Sequence, residues 1–160
     1  MISKEDLKKI VILKSLTDDM LEKLIPIANT TSFNKGEIIF KEGDLADKFY
    51  ILKRGKVLLE KRISDKITVS VGSIKPGYSF GWSAILDGGS YTTDAICVEE
   101  CEAFNFSREN ILDLIDKDHS LGYKLTKQIL GVIKTRLDYR TDQFIKVITS
   151  HPHMQTFVEK

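Results

Sequence analysis

Between Thr30 and Ser107 the chain breaks into short β-prone runs punctuated by Asn34-Lys35-Gly36, Glu42-Gly43-Asp44, Arg54-Gly55, Ser64-Asp65, Lys75-Pro76-Gly77 and Gly88-Gly89. Turn residues at such close intervals leave strands of ordinary length, and many short strands in sequence pack as a barrel or a sandwich. Helical spacing borders the stretch on both sides. Upstream, Ser3 and Thr17 are suited to cap helices whose first turns are acidic, Glu5-Asp6 and Asp18-Asp19, as the positive end of a helix dipole favours. Downstream, Ser107 is placed to cap Arg108 to Asp116, and a longer helix is expected from about Ser120 to Ile148. The expected organisation is one domain over 1–160: helices at about 3–28, a β-barrel at about 30–107, C-terminal helices at about 108–148 and a tail at 149–160.

Two details refine this outline. In Ile67-Thr68-Val69-Ser70-Val71 three β-branched apolar residues alternate with two hydroxyl residues, which predicts a strand with one dry face. On the long helix Leu125, Ile129 and Val132 form one apolar stripe, while Leu130, Ile133, Leu137, Phe144 and Val147 form another at steps of three and four, with Arg140 interrupting. One stripe suits the strand domain. The second, with its seam at Leu130, Ile133, Leu137 and Phe144, suits the same helix of a second copy, so a homodimer is expected; a single broad stripe on one core is the alternative.

Composition excludes several classes. The 24 Lys and Arg residues against 23 Asp and Glu leave a formal charge of +1, without the basic field that drives binding to a phosphate backbone. The opening Met1-Ile2-Ser3-Lys4-Glu5-Asp6 lacks the features of a signal peptide, and no apolar run is long enough for a membrane span, so a cytoplasmic protein off the membrane is expected. Cys97 and Cys101, four residues apart, fit neither a disulfide framework nor a zinc site; they read as reduced core thiols, with a redox pair as the alternative. No metal site is expected. His151-Pro-His153 lacks further ligands, His119 is better suited to begin the long helix than to hold haem, and two cysteines are too few for an iron–sulfur cluster. No nucleophile has a histidine at a readable spacing, and Glu99-Glu100 falls in a turn between strands, so no catalytic residue is assigned and an enzyme is not expected.

The runs Phe33-Asn34-Lys35-Gly36-Glu37-Ile38-Ile39-Phe40-Lys41-Glu42-Gly43-Asp44 and Phe49-Tyr50-Ile51-Leu52-Lys53-Arg54-Gly55-Lys56-Val57, with Val71-Gly72-Ser73-Ile74-Lys75-Pro76-Gly77-Tyr78-Ser79-Phe80-Gly81, resemble a cyclic nucleotide-binding domain from about Leu7 to Ile148. The resemblance is to the sensory half of catabolite-activator and fumarate-nitrate-type regulators. It implies a mainly β fold: an eight-stranded jelly-roll barrel with N-terminal helices and a long C-terminal helix. It also implies a phosphate-binding cassette, in which a short helix presents backbone N–H groups, an arginine neutralises the cyclic phosphate and a glutamate accepts from the ribose.

Phe80 and Gly81 match the opening of that cassette and Ala84, Ile85 and Leu86 its hydrophobic helix, with Ser83 between them, but Trp82 stands at the glutamate position and Tyr91 at the arginine position. Thr92 and Thr93 fill the small hydroxyl positions. Without the two charged groups, weak or altered nucleotide specificity is expected, the ligand being a cyclic nucleotide or another small anionic or aromatic compound. Backbone donors around Ser83, Ala84 and Ile85 would remain to hold an anion. By the same resemblance a residue of the long helix reaches the ligand, and Arg136 and Arg140 are the candidates there. Only Thr149 to Lys160 follow that helix, too few for a DNA-reading module, so no direct DNA binding is expected. The chain reads as a regulatory sensor module acting through a second copy or another protein; the alternative is a ligand-independent interaction module whose pocket Trp82 and Tyr91 fill.

Overall fold

Ser3 and Thr17 cap the helices they precede, as their spacing predicts. The Ser3 hydroxyl accepts from the Asp6 N–H in a reciprocal capping box opening α1 (Lys4–Lys8), and Thr17 accepts from the Met20 N–H at the start of α2 (Asp18–Leu24). In the computed structural model, which describes residues 2–86, 89–152 and 154, two short 3-10 turns, Val11–Leu13 and Ile25–Ile27, complete the N-terminal segment. The described residues up to Leu125 make one compact unit, and those from Thr126 make a second.

Eight strands follow: β1 (Ala28–Phe33), β2 (Ile38–Phe40), β3 (Lys48–Arg54), β4 (Val57–Ser64), β5 (Ile67–Ile74), β6 (Ser79–Phe80), β7 (Asp94–Cys97) and β8 (Cys101–Ser107). They form two four-stranded antiparallel sheets with the orders β1-β8-β3-β6 and β2-β7-β4-β5, a jelly-roll arrangement. The first sheet is anchored by β3 and β8, in register from Lys48 opposite Ser107 to Leu52 opposite Ala103, with a shift before Arg54 opposite Glu102. Their unbroken apolar runs, Phe49 to Leu52 and Ala103 to Phe104, are buried on both faces, as inner strands require. Phe49, Phe80, Phe104 and Phe106 lie wholly inside, each contributing about 1.5 to 3 kcal/mol by leaving water.

The dry face expected for β5 is not dry. Ile67 is 53% exposed, and Val69 and Val71 are only half-buried. The reason is position: β5 is the edge strand of its sheet, pairing only with β4, and the hairpin carries the alternating residues away from the core.

Ser107 caps α3 (Arg108–Lys117) by accepting from the Asn110 N–H. The long helix α4 runs His119–Thr149, and its cap is Asp118. One carboxylate oxygen of Asp118 accepts from the Leu121 N–H at 2.9 Å and the other meets Lys23 Nζ at 2.6 Å, so two helices share one anchor. The Lys23 bond, then the Leu121 N–H, hold this carboxyl below its ordinary pKa. On α4 the stripe of Leu125 and Ile129 is buried, whereas Leu130, Leu137 and Phe144 are each more than 60% exposed. Among the described residues no helix is long and apolar enough to cross a membrane.

Candidate functional site

Phe80 ends β6, and the chain turns through Gly81 into a 3-10 turn, Trp82–Ile85. Gly81 adopts φ 72°, and a Cβ there would come within 3.0 Å of the Lys48 carbonyl and 3.4 Å of the Tyr91 ring. The position therefore demands glycine twice over, for its left-handed backbone and for the close approach. The turn itself is short. The Ala84 N–H, expected to be available to an anion, is bonded to the Gly81 carbonyl at 3.1 Å, and Ala84 is buried. Ser83 and Ile85 are half-buried, Thr92 is exposed and Thr93 is half-buried.

Trp82 and Tyr91 are both tied into the protein. The Trp82 ring N–H donates to Ser79 Oγ at 2.9 Å. Tyr91 is only 3% exposed, and its ring stacks on Phe40 with centroids 3.7 Å apart and planes 11° from parallel. Its hydroxyl donates to the Lys48 carbonyl at 2.7 Å and accepts from the Lys48 N–H at 3.1 Å. Phe40, Tyr50, Phe80 and Tyr91 thus form an aromatic cluster joining β2 of one sheet to β3 and β6 of the other, with Tyr50 and Phe80 stacked at 5.1 Å. The backbone repeats the attachment: the Tyr91 N–H donates to the Asp44 carbonyl, the Gly43 N–H donates to the Tyr91 carbonyl, and Leu45 bridges Ser90.

Burial dominates the electrostatics of this cluster. It pushes the Tyr50 phenol up to about 12, with Asp47 adding to the shift, and raises that of Tyr91 as well. A phenol whose pKa is raised on folding stabilises the fold fully below its unfolded value of about 10, and that stability is lost as pH rises toward the folded value. Denaturant titrations are therefore expected to show falling stability above about pH 10, with a Tyr91→Phe variant less sensitive to alkali although weaker at neutral pH, where Lys48 loses both its partners. An unchanged alkaline slope in that variant would refute the assignment.

Arg108 is a residue that reading the sequence for function missed. Its Nη1 donates to the Ala84 carbonyl at 2.8 Å, to that of Ser83 at 3.5 Å and to that of Leu86, so it grips the carbonyl end of the 3-10 turn. A signal was present: a cation directly after the N-cap stands at the wrong end of a helix dipole, which calls for a compensating partner. Arg108→Gln is expected to lose about 1 to 3 kcal/mol in denaturant unfolding and to speed amide exchange at Leu86. Beside Arg108 a cavity of about 450 Å³ is lined by Gly43, Leu45, Gly89, Ser90 and Arg108, and it shares no lining residue with Trp82, Tyr91, Thr92 or Thr93.

The remaining candidates belong to other elements. Arg136, half-buried, and Arg140, exposed, stand on α4 beyond Leu125. Cys97 and Cys101 are both buried, the Cys101 thiol donating to the Lys56 and Glu99 carbonyls at 3.4 Å, while burial pushes the Cys97 thiol up to about 12. A thiol so held is protonated at neutral pH and acts as a small core side chain. Of the histidine pair near the end, His153 lies outside the described residues, and no group of metal ligands occurs among those described.

Comparison with known proteins agrees with this geometry. The family model for the cyclic nucleotide-binding domain matches residues 30–118. The cyclic AMP receptor protein of Thermus thermophilus is 30% identical over 101 residues, covering 61% of this chain and 47% of the relative. A solved structure from Geobacter metallireducens superposes with a TM-score of 0.75 at 29% identity, covering 86% of this chain and 99% of that one. The regulatory subunit of a cAMP-independent protein kinase A from Trypanosoma brucei shares the fold, with a TM-score of 0.66 at 17% identity over 97% of this chain and 48% of its own. The chain spans about half the length of the curated relatives it matches. With more than half of its residues matched by the family model and the strand order of the fold in place, this chain belongs to the cyclic nucleotide-binding domain family.

Proposed function

We propose that this chain is a non-catalytic regulatory module of the cyclic nucleotide-binding fold, with weak or altered nucleotide specificity because its cassette is closed on itself. The observation that carries the reading is Tyr91. It occupies the position where the resemblance puts the phosphate-neutralising arginine, yet it is buried, stacked on Phe40 and bonded twice to Lys48. A cyclic phosphate in the family pose would meet no guanidinium at this position. The cation that the structure does put at the cassette, Arg108, faces its carbonyl end. A small anionic or aromatic compound is the ligand class that Trp82, Ser83, Thr92 and Thr93 leave open.

A second reading, a ligand-independent dimeric interaction module, is favoured by the exposure of Leu130, Ile133, Leu137 and Phe144 on α4. In either reading output passes to a second copy or to another protein. The shared fold of a cAMP-independent kinase regulatory subunit supports regulation without cyclic AMP. Isothermal titration of the purified chain with cyclic AMP and cyclic GMP is expected to show no tight binding, and a tight complex with either would overturn the proposal. A melting-temperature screen against small anions and aromatic metabolites then separates the two readings, because a site-specific ligand raises the melting temperature by mass action.

A further inference from the structure

The β4–β5 hairpin runs on past the body of its sheet. β7 pairs with β4 only from Val57 to Glu60, so from Lys61 to Ile67 the two strands have only each other as sheet partners among the described residues. Residues 61–68 are all exposed, Ile63 at 66%. The two-residue turn Asp65-Lys66 joins Ser64 to its partner Ile67 without a left-handed residue, and the register shifts between Arg62 and Ser64. Two-residue turns suit the strand twist when they adopt positive φ, and a two-stranded ribbon is marginal in water by itself, so this arm opens more readily than the barrel that carries it.

Its chemistry is concentrated at the tip. Ser64 stands in Lys61-Arg62-Ile63-Ser64-Asp65-Lys66, with cations three and two residues before it and another two residues after. The Ser64 Oγ accepts from the Lys66 N–H at 3.3 Å and donates to no group among the described residues. Arg62 Nε donates to the Ser64 carbonyl at 3.3 Å, and its Nη2 pairs with Asp65 at 2.7 Å, both side chains well exposed. An ion pair so exposed contributes little and is readily exchanged for a stronger partner. Lys61 is tied back to Glu42, whereas Lys66 makes no ion pair among the described residues.

We propose that Ser64 is a phosphorylation site for a serine kinase that reads cations on both sides of its acceptor, and that the phosphoserine takes Arg62 from Asp65. In the transfer the γ-phosphoryl group of ATP passes to Ser64 Oγ, its bond to the β-phosphate oxygen breaks, ADP leaves, and the hydroxyl proton goes to the carboxylate base of the kinase. The phosphate carries more charge than the Asp65 carboxylate, and a guanidinium fork matches its oxygens bidentately. Thr135 and Thr141 also follow cations, but each donates to the carbonyl four residues back within α4, in regular helix that offers no extended segment. The site is independent of what the cassette binds.

Incubation of the full chain with the catalytic fragment of protein kinase C and Mg-ATP, read by intact and fragment mass spectrometry, tests it. Wild type is expected to take up one phosphate at Ser64, Ser64→Ala to take up none, and Arg62→Gln to react at least about tenfold more slowly. Phosphorus NMR titration of the modified chain is expected to put the second phosphate ionisation below its ordinary value of about 6, with Arg62→Gln bringing it back. Equal uptake by Ser64→Ala, or no uptake by the folded chain while a peptide of residues 58–70 is modified, would overturn the site. Refusal of both chain and peptide would overturn recognition through these cations, and an ionisation unmoved by Arg62→Gln would remove the exchange of partners.

Discussion

A Trp82→Glu, Tyr91→Arg double variant is expected to bind cyclic AMP about a hundredfold or more tightly than wild type, since each restored charge-assisted interaction is worth roughly 1.5 to 3 kcal/mol. The gain comes at a cost that identifies its origin. Position 91 lies inside an aromatic cluster, 3% exposed, and its hydroxyl is the partner of both backbone groups of Lys48. An arginine there leaves those groups unpaired and carries a charge into an apolar surrounding unless an anion receives it. The variant should therefore melt below wild type when free and recover when cyclic AMP is added, a crossover readable by differential scanning fluorimetry. Tight binding by wild type at the outset, or a variant that binds no better, would show that Tyr91 and Trp82 do not control the pocket.

Gly55→Ala is expected to destabilise the fold by about 3 to 5 kcal/mol, combining left-handed strain with overpacking. Gly55 joins β3 to β4 with φ +95°, and a Cβ on it would fall 2.4 Å from the Glu100 carbonyl oxygen, 2.7 Å from the Cys101 sulfur and 2.8 Å from the Cys101 Cα. Two of these three atoms are backbone of the turn into β8, which is paired on both sides, so the structure cannot relax around the methyl group. Gly131→Ala, on α4, supplies the contrast: a Cβ there meets nothing within 4 Å, and helix propensity predicts a gain of about 1 kcal/mol. Urea melts of the two variants that moved in the same direction would contradict this account of what the glycines do.

Closely spaced turn residues, the caps at Ser3, Thr17 and Ser107, and the heptad on the long helix were all legible in the amino-acid sequence, because each is a relation between residues a few positions apart. Local chemistry suffices there: a cap bonds three residues ahead, and a heptad is a count along one helix. The proposed cassette, with Trp82 and Tyr91 where the resemblance expects charged residues, was read in the same way, through residue type in order. What Tyr91 does with its side chain was not, since its partner Lys48 lies 43 positions away and meets it only once β2, β3 and β6 have assembled. Arg108 escaped notice for the same reason, its carbonyl partners being more than 20 residues upstream. The alternation of Ile67, Val69 and Val71 misled because periodicity reports that a strand has two unlike faces, but not whether a second layer covers either one. The sequence by itself determined which strands, turns and helices form and which residue types stand between Phe80 and Thr93; the tertiary structure alone decided that Tyr91 turns inward, that Arg108 holds the Trp82–Ile85 turn from behind and that β5 is an edge. Those outcomes depend on which distant segments share a core, a property of the chain path that no local spacing encodes.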